Sequence, residues 1–174
     1  MDTIIGIDVS TTKVGLVALD HNAEVICWEY LNLSSSKIEN DLLTKIKVVE
    51  SWLRHLKITI PTATIVVEAP LFITRHGKTN ANTLAKLIAF NWMVLYAVLT
   101  VYKTVPVHKN VNAARKAVFG SISKGVDKKQ YVKEKVSDII EGLKDIPKKY
   151  QDDIADAYTM ARYEYDLRKS KNTD

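Results

Sequence analysis

Hydrophobic and polar positions along the chain fall into stretches of two different periods. Ile4-Ile5-Gly6-Ile7 is a short apolar run closed by the lone carboxylate of Asp8. Ser10-Thr11-Thr12 marks a turn, and Lys13–Leu19 reads as a second strand. The residues from Asp20 to Ala23 form a hairpin loop before a third strand, Val25–Leu31. The period then changes. Ser34-Ser35-Ser36 supplies a helix start, and Ile38, Leu42, Leu43, Ile46, Val49, Trp52, Leu53 and Leu56 recur at helical spacing up to Lys57. Beyond Pro61, Thr64–Val67 is a fully apolar strand that ends in Glu68 and is stopped by Pro70. A polar loop through Arg75, His76, Gly77 and Lys78 leads to a long helix from about Asn82 to Tyr102. Val105-Pro106-Val107 reads as a short fifth strand. Helices follow at roughly Val111–Phe119, Lys128–Leu143 and Asp152–Lys169, with Gly120–Gly125 as a flexible loop. This order predicts an α/β chain with a five-stranded mixed sheet: an antiparallel three-strand meander, then parallel strands, flanked by helices.

The 174 residues show no repeat or linker and suit one domain, with a flexible tail from about residue 170. An apolar share of 47% is enough for an ordinary core. Cys27 is the only cysteine, so no internal disulfide forms and a reducing, cytoplasmic location fits, with viral or organellar origin left open. Leu87–Tyr102 is apolar, but Asn91 interrupts it and Lys86 and Lys103 flank it, which favours a buried or subunit-contacting helix over a membrane span. The 25 Lys and Arg against 20 Asp and Glu leave a net charge of +5, a modest signal for a polyanionic partner.

That signal sharpens around four of the acids. Asp8 and Glu68 each end a strand. If those strands are parallel neighbours, both carboxylates emerge at the sheet edge where open α/β sheets bind ligands. Asp153 and Asp156 are three apart on a helix and share a face. Singly, a strand-ending Asp is a turn or cap residue, and Asp152 or Asp153 opening a helix complements its dipole. As a set, the acids form an oxygen-rich cluster suited to two hard divalent cations, Mg²⁺ or Mn²⁺, of the kind that assist in-line phosphoryl displacement. Asp152 takes the role of Asp153 if the helix is rotated. His21, His55 and His108 lack metal-ligand spacing, and His76 is a loop residue that such chemistry does not need.

These residues carry a resemblance. Ile4-Ile5-Gly6-Ile7-Asp8, Ile65-Val66-Val67-Glu68 and Asp153-Ile154-Ala155-Asp156-Ala157 are similar, in order, to the motifs of the RuvC-type Holliday junction resolvases, of RNase H-like fold. The stretch from Asn112 to Gly120, followed by Asp127-Lys128-Lys129-Gln130, resembles the family's basic segment near the active site. The chain departs from the common Pro-Gly after the first Asp, having Val9-Ser10 instead. The resemblance implies Asp8, Glu68, Asp153 and Asp156 as catalytic metal ligands, and Arg115, Lys116 and Lys128 as phosphate contacts. Phe72 lies one residue late for the family's junction-stacking aromatic, with Arg75 and Lys78 as weaker contacts beside it. It also implies a homodimer through the helix Leu84–Tyr102, which presents two sites to a two-fold four-way DNA junction.

Three other readings use the same residues. The acids equally suit an RNase H-like nuclease for other branched DNA, RNA–DNA hybrid or structured RNA. A silent DNA-binding module would not need all four carboxylates. Gly6-Ile7-Asp8-Val9-Ser10-Thr11-Thr12-Lys13 also looks like the phosphate motif of sugar kinases and actin-like ATPases. Those proteins need a second lobe for which 174 residues leave no room.

Overall fold

The structure is a computed structural model that describes residues 2–34, 41–69, 80–123 and 125–171. Strands β1 (Ile4–Val9), β2 (Lys13–Leu19) and β3 (Val25–Asn32) form the antiparallel meander. Helix α1 (Leu42–Thr59) leads to β4 (Thr64–Glu68), and α2 (Ala81–Tyr102) leads to β5 (Val107–Lys109). Helices α3 (Val111–Phe119), α4 (Lys128–Ser137) and α5 (Lys148–Lys171) complete the chain. The sheet order is β3-β2-β1-β4-β5, with β4 parallel to both β1 and β5. This is the expected mixed sheet.

Alternation along the strands splits the core in two. Ile5, Ile7, Leu16, Ile65 and Val67 pack with α1 and α2, whereas Ile4, Val17, Leu19 and Val66 pack with α5 and its neighbours. Fully burying such aliphatic side chains contributes roughly 1.5–3 kcal/mol each, so both faces hold the sheet in place.

Several boundaries moved. Helix α1 starts at Leu42, where Asp41 is its N-cap and accepts from the Thr44 amide at 2.8 Å; Ser35, Ser36 and Ile38 of the expected start lie outside the described residues. The fifth strand begins after Pro106, which has no N–H to give a ladder. Helix α4 stops at Ser137, and Gly142 turns left-handed at φ 77° before a short 3₁₀ turn, Leu143–Asp145. Helix α5 starts one turn earlier than the aspartates suggested, behind Pro147, so Asp152 and Asp153 do not open it. It also takes in Ser170 and Lys171, which the sequence placed in a tail.

Among the described residues, α2 is the one helix long and apolar enough to cross a membrane by length and composition. At 22 residues it exceeds the run read from sequence. Its inner side, including Phe90, Val94 and Val98, belongs to the core shared with α1.

Candidate active site

The pleat decides which acids meet. On β1, Ile4 and therefore Gly6 and Asp8 face α5; on β4, Val66 and therefore Glu68 do the same. Parallel pairing matches Ile7 with Val67, so Asp8 and Glu68 are the next residues at the same sheet edge. Their carboxyls lie close enough for each to act on the other. Asn91 of α2 pins this end of β4, donating from Nδ2 to the Glu68 carbonyl at 2.9 Å.

Two glycines bring the other pair down onto the sheet. A Cβ on Gly6 would stand 2.0 Å from the Ala157 carbonyl oxygen, and one on Gly15 would stand 2.6 Å from the Asp153 carbonyl carbon. No other residue permits that approach. Gly15 is the cross-strand partner of Asp8, so Asp153 is carried to Asp8 directly. Asp156, one turn on, is buried. Asp152 instead pairs with Lys133 of α4 at 3.2 Å.

The electrostatics follow from this crowding. Burial first, and then the charges of Glu68, Asp156 and Asp153, push the Asp8 carboxyl well above the usual carboxylate range. Burial also raises Glu68, with Asp156 adding to it, although Arg115 and Lys129 pull the other way. Asp153 and Asp156 are raised by burial too, against the opposing pull of Lys13 and of Arg115 respectively.

Two cations reach into the cluster. Arg115 of α3 is buried and grips Asp156, with Nη2 at 2.7 Å from Oδ1 and 2.6 Å from Oδ2 and Nε at 2.9 Å from Oδ1. It is turned inward, not outward as an open phosphate contact. Lys13 Nζ lies 2.7 Å from Asp153 Oδ2. Lys116 on α3 and Lys128 on α4 are exposed, while Lys129 of α4 is close enough for its charge to act on Glu68 and Asp156. Phe72, Arg75, Lys78 and His76 lie outside the described residues.

All four groups are hard oxygen donors, the type a divalent cation takes, and they lie close enough to act on one another's charge. With Asp153 and Asp156 turned to Lys13 and Arg115, no three His, Cys, Asp or Glu side chains converge as ligands among the described residues. Sequence reasoning missed Lys13 and Asn91 as neighbours of the site, and within the basic segment it singled out Lys128 where Lys129 is the one whose charge acts on the acids. Its one available signal for the close helix was a glycine two residues before Asp8 and another inside an apolar strand.

The sequence matches no protein-family model and no curated protein. Structural likeness is extensive. Thermus thermophilus RuvC superposes with a TM-score of 0.66 at 19% identity, covering 97% of this chain and 96% of that one. The chain has the RuvC fold. A second structure, T. thermophilus RuvC in complex with a Holliday junction substrate, gives 0.66 at 18% identity over 98% and 97% of the two chains. The yeast mitochondrial Holliday junction resolvase gives 0.66 at 16% identity, over 98% of this chain and 82% of that one. This RNase H-like RuvC fold is the one the sequence motifs implied.

Proposed function

We propose that the chain is a divalent-metal-dependent endonuclease that resolves four-way DNA junctions. The observation that carries this reading is the meeting of Asp8, Glu68, Asp153 and Asp156 from β1, β4 and α5 at one sheet edge, within reach of the charge of Lys129. These acids would hold the ions. When bound, a pair of Mg²⁺ or Mn²⁺ ions supplies an activated water and charge stabilisation at the leaving oxygen. The chain's own part is to fix the acids on rigid elements and to hold the strand. Asn91 fixes Glu68, the two glycines seat Asp153 and Asp156, and the exposed Lys116, Lys128 and Lys129 attract phosphates without reading sequence.

The choice of a junction as substrate is supported by the nearly full-length RuvC fold, one of whose structures holds a Holliday junction. A homodimer is part of the proposal. Ala85, Ala89, Trp92, Tyr96 and Leu99 lie exposed on α2 at alternating spacings of four and three, the seam of a helix that packs on a copy of itself. Two-fold pairing would present two sites to opposing strands. The test is a nicking assay on matched substrates. Paired nicks in a four-way junction, with an RNA–DNA hybrid left intact, are expected; preference for the hybrid would move the protein to the broader RNase H-like reading.

A further inference from the structure

We propose that Lys13 is a built-in competitor for the metal ion at Asp153, occupying that carboxylate in the cation-free protein and leaving it when a divalent cation binds. The inference rests on reading the four acids as a metal site.

Lys13 opens β2 immediately after the loop that follows Asp8, and its backbone is held tightly. The Ser10 hydroxyl accepts from the Lys13 amide at 3.1 Å and donates to the Lys13 carbonyl at 2.9 Å. The Ser10 amide also donates to that carbonyl, at 3.0 Å. Lys45 of α1 holds the loop from its other side, donating from Nζ to the Thr11 carbonyl at 2.8 Å. From this fixed base the Lys13 side chain crosses to α5. Its Nζ donates to the Lys149 carbonyl and stands 2.7 Å from Asp153 Oδ2.

The two cations of the cluster are built differently. Arg115 is a buried planar fork with three hydrogen bonds to Asp156, an arrangement suited to permanence. Lys13 is a point charge on a flexible four-carbon arm, and its side chain is 26% exposed against 13% for Asp153. It has an open path to solvent. Nor is the pair needed to dock the helix, since the Gly6 and Gly15 contacts and the Lys13–Lys149 hydrogen bond already join α5 to the sheet. An ammonium at contact distance opposes a divalent cation twice, by taking a carboxylate oxygen and by repulsion between like charges. Lys13 therefore sets how much free metal is needed to load the site. It is a positioning residue, acting through Asp153.

Calorimetric titration of the DNA-free protein with Mn²⁺ alone tests this. Lys13→Met should bind Mn²⁺ about tenfold more tightly than the unaltered chain, the scale of removing one partly screened charge at contact distance. Lys13→Gln should do likewise, and Lys13→Arg should keep the original affinity. Circular dichroism melts of each variant confirm a folded sample. Mn²⁺ binding that Asp8→Asn abolishes, but that neither neutral substitution tightens, overturns this inference alone. Absence of Mn²⁺ binding from every protein overturns the metal-site reading and this inference with it.

Discussion

Asp8 concentrates the electrostatic cost of the site. It lies among three other carboxylates, and burial raises its affinity for a proton. The sign of the consequence is fixed by linkage. A carboxyl whose folded-state pKa is raised binds its proton more tightly folded than unfolded. Its stabilising contribution is present below the unfolded value of about 3.9 and is lost as pH rises through the raised folded value. Glu68, Asp153 and Asp156 are raised and act in the same sense, whereas Asp20 and Asp41 are lowered and act oppositely. Comparing the chain with Asp8→Asn isolates the one group. In chelator at pH 7.5 the substitution should stabilise the fold by about 1 kcal/mol, the usual yield of relieving one unfavourable site. The gain should shrink toward pH 4, where the natural carboxyl holds its proton. Thermal melts across that range check it, and an Asp8→Asn protein less stable than the parent at neutral pH would count against the electrostatic account.

At the scale of elements, α5 on β1 and β2 makes the site. Gly6→Ala should destabilise the fold by about 3 kcal/mol, the upper range for forced overpacking, because the methyl would meet backbone, which cannot swing aside. Urea midpoints measure this, and an unchanged midpoint would mean that α5 does not lie as close as described. How far the sequence revealed these features depends on how local the cause is. Strands β1 to β4 and helix α2 were legible because period and turn residues act within a few positions. So was the placing of Asp8 and Glu68 toward one sheet edge, since each lies near the end of its strand. The cap of α1 was not, since Asp41 lies inside the stretch of helical spacing and nothing local sets it apart as the N-cap. The Lys13–Asp153 and Asn91–Glu68 contacts join residues far apart in the chain, and only the assembled sheet brings them together. Arg115 was recognised as basic and near the site, but its inward turn onto Asp156 depends on how α3 packs against α5.

At the scale of the whole molecule, the proposed dimer and the proposed chemistry are linked, because two nicks in one junction need two sites. Trp92 and Tyr96 are 53% and 72% exposed on α2, costly for aromatic side chains unless a partner covers them. Sedimentation equilibrium should give a dimer at micromolar concentration, and the Trp92→Glu/Tyr96→Glu double substitution should give a folded monomer. A parent chain that stays monomeric would remove the paired-site account. The central claim is that the four acids cut DNA with divalent metal, and a synthetic four-way junction tests it most directly. With Mg²⁺ the protein should nick opposing strands. Chelator should stop this, and Asp8→Asn should lower the rate at least about 10³-fold while still binding the junction, the scale of losing several kcal/mol of transition-state stabilisation. Cleavage that persists in chelator, or in Asp8→Asn, would contradict it.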